Sequence, residues 1–197
     1  DGPTHQPVEH IASLRAMPNL KLFRPADAVE TVECWQAALE NRTGPSILAL
    51  SRQGLPTQRV KHCDENLSAR GGYVLFDAAS GAPEIVLLAT GSEVTLAVEA
   101  RARLENEGYP TRIVSLPCWE LFDTEDQAYR DEVLVPGKLR IAIEAAVPFG
   151  WERYLDANGI VIGMQSFGAS APAGDLYAHF GITADAVVAA AREALAD

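Results

Sequence analysis

Glu84 to Ala89 (EIVLLA) runs into Thr90-Gly91-Ser92, and then into a stretch through Glu107 whose Val94, Ala97, Val98 and Ala102 form one stripe. A short apolar run bounded by turn residues is the pattern of a strand buried on both faces, and the stripe at helical spacing makes the next segment a helix lying on it. Gly108 supplies the helix stop. Downstream the alternation repeats: strand over 111–116, helix over 125–134, strands over 139–145 and 159–164, then helices over 172–180 and 183–196. Upstream, Gly72 to Asp77 (GYVLFD) adds another strand. Apolar strands interleaved with helices predict an α/β fold, a mostly parallel sheet with helices on both faces, and residues 71–197 are of a size to form such a domain alone.

The preceding residues are organised differently. A helix is expected over 7–16, with Val8, Ile11, Ala12 and Arg15 at helical spacing, followed by a short extended segment over 20–24. Asp27 with Glu30 has the form of a capping box and opens a helix whose Val29, Val32, Gln36 and Leu39 share a face. Gly44-Pro45 ends it, and Ser46 to Leu50 (SILAL) reads as a buried parallel strand. Two helices and two strands cannot cover both faces of a sheet, so residues 1–54 are expected to be the truncated remainder of an α/β domain. Residues 55–70, polar and without sustained period, read as a linker.

The chain has 197 residues, 48% of them hydrophobic and 22% charged, which excludes wholesale disorder. No run of about 18 apolar residues is present, so no membrane helix is expected. Asp and Glu outnumber Lys and Arg by 27 to 16, for a formal charge of −11, and a surface this acidic repels nucleic acid. Cys34, Cys63 and Cys118 lack metal-ligand spacing and fit a reducing, cytoplasmic setting. The chain opens on Asp-Gly-Pro with no signal-like segment, and the expectation is that it was cut from something longer.

Asp1, Thr4 and His5 sit in a Gly/Pro-shaped turn (DGPTHQP) ahead of a helix. A histidine there can move protons near neutral pH and an aspartate can accept from a sugar hydroxyl, while the same turn also reads as a simple cap with a surface histidine. Arg52 follows the SILAL strand, where an open α/β sheet takes ligands, and its forked donors suit a phosphate or a neighbouring carboxylate equally. Thr90-Gly91-Ser92-Glu93 has the form of a phosphate cradle at a helix start, but Glu93 in the first turn favours a capping role. His62-Cys63 has no partner pair at metal-ligand spacing. Trp35, Trp119 and Trp151 read as packing or interface residues, and Glu144 at a strand end has no evident partner.

Taken in order, DGPTHQP (1–7), RPADAVE (24–30), SRQ (51–53), GGYVL (71–75), ATGSEV (89–94), RIVSLP (112–117), IEA (143–145) and FGASAPAGDLYAHFGIT (167–183) resemble transketolase. The resemblance covers essentially the whole chain, in the register of the end of the pyrimidine-binding middle domain followed by the C-terminal domain. It implies transfer of a two-carbon ketol unit between sugar phosphates, with thiamine diphosphate and a divalent metal, usually Mg2+, in a cytoplasmic homodimer of pentose phosphate metabolism. On the matching positions it implies that Asp1 reads a hydroxyl beside the reacting carbon. His5 lies near the reactive end of the cofactor and the ketol hydroxyls, and Arg52 grips the substrate's terminal phosphate.

The glycine-containing segment that holds metal and diphosphate in that family does not occur in this sequence, nor do the glutamate and aromatic positions that hold the aminopyrimidine. The chain alone is therefore expected to bind no cofactor and to be inactive, chiefly supporting structure and dimer contacts, with the remainder of the parent and a second subunit as partners. Dihydroxyacetone synthase, or another thiamine-diphosphate enzyme of this domain order, is the alternative enzyme reading. A stand-alone interaction module and a nucleotide-binding regulatory domain are the alternatives outside it.

Overall fold

The computed structural model describes residues 5–196. Its larger sheet has five strands, β3 (Tyr73–Phe76), β4 (Ile85–Ala89), β5 (Thr111–Ser115), β6 (Leu139–Ile143) and β7 (Ile160–Ile162), in the order β3-β5-β4-β6-β7. β4 lies at the centre, parallel to β5 with Ile85 opposite Thr111 and parallel to β6 with Ile85 opposite Leu139. Only the edge strand β3 runs antiparallel to its neighbour, β5. All five strands fall where the apolar runs predict them.

Every residue of β4 is buried, and alternation divides its side chains between two cores. Ile85, Leu87 and Ala89 face α3 (Glu93–Asn106) and α7 (Ala184–Ala196), packing with Val94, Ala97, Leu104, Val187 and Val188. Val86 and Leu88 face the opposite side, where Trp119 and Phe122 of α4 (Trp119–Phe122), Val133 of α5 (Gln127–Leu134), Trp151 and Tyr154 form an aromatic core. Trp119 meets Trp151 edge to face, with ring centroids 4.6 Å apart. The sheet is thus covered on both faces, as a buried parallel sheet requires. No helix among the described residues is long and apolar enough to cross a membrane.

The smaller unit comprises α1 (His10–Arg15), β1 (Lys21–Phe23), α2 (Ala28–Glu40) and β2 (Ser46–Leu48), with β1 and β2 forming a parallel pair. Three expectations are corrected here. α1 is shorter than the 7–16 pattern suggests, because its first turn has no side-chain cap at Glu9 and Pro7 lies outside it. β2 stops at Leu48, short of the SILAL run's end, and it is not buried on both faces, since Ile47 is exposed. The third concerns α2: Val32, Trp35 and Leu39 are 70%, 49% and 65% exposed, while Glu30 and Cys34 face inward. The buried face of α2 is chosen by what it meets. Glu30 accepts hydrogen bonds from Ala26 N–H, Tyr73 Oη and Ser115 Oγ, and Cys34 packs with Phe23 and Cys118. The apolar stripe on the other side has no cover among the described residues.

Asp27 caps α2 by accepting from the Glu30 amide at 2.9 Å. The expected reciprocal bond shifts by one residue, since Glu30 reaches Ala26 rather than Asp27. Of residues 55–70, expected as a linker, 55–66 contain no helix or strand and Leu67–Arg70 form a short 3-10 helix, and the stretch is strapped along α2. The Gln58 amide donates to Asp27, Arg59 pairs with Glu33 at 2.6 Å, and Asn66 donates to the Glu33 carbonyl.

Candidate functional site

The carboxyl ends of β4, β6 and β7 open towards the small unit, and a cavity of about 290 Å³ lies there. His5, Gln53, Arg24, Ser92, Glu93 and Tyr177 are among its lining residues, with an apolar wall from Leu176, Phe180 and Ile182. Of the residues singled out from the sequence, His5 is exposed at the rim. Gln53, the chain neighbour of Arg52, lines the same cavity, and Arg52 itself is exposed. Asp1 lies outside the described residues. The turn carrying His5 is held against the far wall, where Gln6 Nε2 donates to Ser170 Oγ at 3.1 Å.

Arg24 and Glu93 in the wall of this cavity belong to a buried chain of charges that runs behind it. Glu144, 1% exposed at the end of β6, accepts from both terminal nitrogens of Arg15 at 2.8 Å, from Arg24 Nη1 at 2.5 Å and from Trp151 Nε1 at 2.8 Å. Arg24 Nη2 continues to Glu93 Oε2 at 3.1 Å. The other oxygen of Glu93 accepts from Tyr177 Oη at 2.6 Å and from Ser92 Oγ at 2.7 Å. Arg15 also lies 3.4 Å over the Trp119 ring, adding a cation–π contact on its free face.

Burial works against the ionised Glu144 carboxyl, but Arg15 and Arg24 beside it prevail and hold it below the usual carboxylate range. Burial likewise opposes the charge of Arg24, yet Glu93 and Glu144 hold its guanidinium above the ordinary arginine value. Burial, and then Glu93, push the Tyr177 hydroxyl up, so it remains a donor at neutral pH. The lowered Glu144 value has a pH consequence. The unfolded chain binds the proton first as acidity rises, so Glu144's contribution is complete above the ordinary value of about 4.3 and fades as pH falls through its folded value. Urea titrations of wild type and Glu144→Ala should show a stability gap that is constant near neutrality and narrows below about pH 4.3.

These geometries revise two sequence readings. Ser92 makes no capping bond to α3, and Glu93 serves as a hydrogen-bond acceptor in the network rather than as a cap. Glu144, without a partner in the sequence, has four donors. Arg24 and Arg15 carry no local signal as site residues; Arg24 directly follows β1, whereas Arg52 lies four residues beyond β2. Trp119 and Trp151 are core residues, whereas Trp35 is exposed. Among the described residues no group of three or more His, Cys, Asp or Glu side chains is placed to hold a metal ion.

A five-stranded sheet ordered around β4, joined to a second parallel α/β unit with a cavity lined from both, defines an α/β protein of two packed units. A family model of the transketolase-like C-terminal domain matches residues 71–183, and one of the transketolase pyrimidine-binding domain matches residues 1–58. The chain belongs to the transketolase family. It is 59% identical over 196 residues to a transketolase of Sinorhizobium medicae, covering 99% of this chain and 28% of that protein. A transketolase structure from Pichia stipitis in complex with sedoheptulose-7-phosphate superposes with a TM-score of 0.89 at 38% identity, over 100% of this chain and 28% of that one. A split-gene transketolase described as an inactive β4 tetramer superposes at 0.81 with 27% identity, over 99% of this chain and 64% of that one. The chain thus spans about 28% of the length of the Sinorhizobium medicae and Pichia stipitis transketolases.

Proposed function

We propose that this chain is the part of a transketolase that reads the sugar phosphate, in an enzyme moving a two-carbon ketol unit from a ketose phosphate to an aldose phosphate. The observation that supports the reading is the cavity shared by His5, Gln6, Pro7 and Gln53, residues nearly fifty positions apart in the chain. Arg52 holds the terminal phosphate through its forked donors. Asp1 accepts from a hydroxyl near the reacting carbon, and His5 orients the ketol hydroxyls and moves a proton there. Holding both ends of an extended sugar aligns its reacting carbon at little entropic cost in the reaction step.

Thiamine diphosphate, bound with Mg2+ by other parts of the parent, supplies the carbanion nucleophile and electron sink. The donor set described above does not amount to a site for that group. On this reading the chain alone is inactive, its partners are the rest of the parent and a second subunit of a cytoplasmic homodimer, and its own work is substrate readout and interdomain support. The similarity to a split-gene chain described as inactive supports this division of labour.

Arg52→Ala tests the assignment in an enzyme assembled around this segment. The phosphate contact is a charge-assisted bidentate bond, so kcat/KM for phosphorylated acceptors should fall by about 10- to 100-fold, in line with about 1.5–3 kcal/mol. Unphosphorylated acceptors should be affected less than about threefold, since they lack the group being held. Equal losses for both acceptor classes, in steady-state kinetics, would remove Arg52 from the phosphate.

A further inference from the structure

An open α/β sheet takes its ligand at the carboxyl end of the strand where the order reverses, and in this sheet that strand is β4, with β5 on one side and β6 on the other. The crevice there is filled by Arg24 of the small unit. Its carbonyl accepts from the Gly91 amide at 2.9 Å and from Thr90 Oγ1 at 3.3 Å. Its guanidinium spans two carboxylates, Nη1 on Glu144 and Nη2 on Glu93. Gly91, with φ of +58°, forms a bare platform against the guanidinium: a Cβ at that position would stand 3.2 to 3.3 Å from Nη2, Cζ and Nε of Arg24. Backbone amides at a helix start ordinarily attract anions, but the buried Glu93 carboxylate reverses the preference of this crevice.

The charges leave one place for a cation. Arg15 already matches Glu144 through two bonds. Glu93 is fully buried, and Arg24 is its one cationic partner among the described residues. We propose that the carboxyl end of β4 is a guanidinium-binding site, occupied in this chain by its own Arg24 and opening into the 290 Å³ cavity that His5 lines. Its ligand class is the alkylguanidinium. A planar fork reaches both carboxylates while lying on Gly91, whereas an ammonium is a point charge that cannot span them in that plane. The cavity lined by Arg24, Ser92, Glu93 and Tyr177 gives a small ligand its way in once Arg24 is shortened. The site therefore latches the unit carrying His5 and Arg52 onto the larger sheet, and it stands independently of the sugar-phosphate reading.

The test is chemical rescue of Arg24→Ala in the 197-residue chain, because N-ethylguanidinium restores the atoms which that substitution removes beyond Cβ. Thermal melts are followed at up to about 20 mM ligand, roughly a hundredfold below the molar range in which guanidinium unfolds proteins. The expected result is a rise in the variant's Tm with N-ethylguanidinium and none with the neutral isostere N-ethylurea. Ethylammonium should need at least tenfold higher concentration for the same shift, and the wild type, whose site is filled, should not respond. Adding Glu93→Gln should weaken the rescue at least tenfold. A variant that responds no more than the wild type, or equally to ethylammonium and N-ethylguanidinium, overturns the proposal. Should Arg24→Ala not fold without ligand, recovery of folded protein on dilution from urea with each compound gives the same reading, and no selective recovery with N-ethylguanidinium overturns it.

Discussion

Glu144→Ala is expected to lower the unfolding free energy by about 3–5 kcal/mol, the cost of leaving buried guanidinium groups without their anion. The carboxylate takes two bonds from Arg15, one from Arg24 and one from Trp151, so a single truncation strands four donors at once. Domains of this size are stable by about 5–15 kcal/mol, which makes the loss a large fraction of the whole. Glu144→Gln should cost less, because the amide oxygen still accepts while its NH2 group faces a guanidinium. Urea denaturation with a common m-value is the measurement. A loss below about 1 kcal/mol for the alanine variant would place those donors in contact with water instead of in a sealed network.

His5→Ala should act on catalysis and leave stability alone. The side chain is exposed at the cavity rim and belongs to no core, so the melting temperature of the chain should hold. In an assembled enzyme, loss of a positioned proton-transfer group typically lowers turnover by about 10²- to 10⁴-fold. A fall confined to KM would assign His5 to ground-state binding alone, and a change under about threefold in kcat/KM would remove it from the reaction.

The strands of the larger sheet were legible because burial on both faces leaves an uninterrupted apolar run, as in Ile85 to Ala89, and such a run needs no knowledge of neighbours. The face of α2 was not legible, since its inward side is set by Tyr73 and Ser115, residues some forty and eighty-five positions away that give Glu30 a place to be buried. α4 has only four residues, too few for a helical period to show. The charged network is not legible in the sequence for a related reason. Arg24 lies 69 residues from Glu93 and 120 from Glu144, and Arg15 lies 129 from Glu144, so no local pattern couples them. His5 and Arg52 stood out only through distinctive short segments, and the cavity joining the first of these to Gln53 depends on the long-range packing of the small unit on the sheet.

The proposal that this segment carries the substrate-reading half of a ketol-transfer site is tested most directly by transplanting it. The 197 residues would replace the matching segment of the Sinorhizobium medicae transketolase, with which they share 59% identity. The chimera should fold with thiamine diphosphate and Mg2+ and transfer a two-carbon unit from a ketose phosphate to an aldose phosphate within about tenfold of the unaltered enzyme. A chimera that folds and binds the cofactor, yet transfers nothing, would contradict the account.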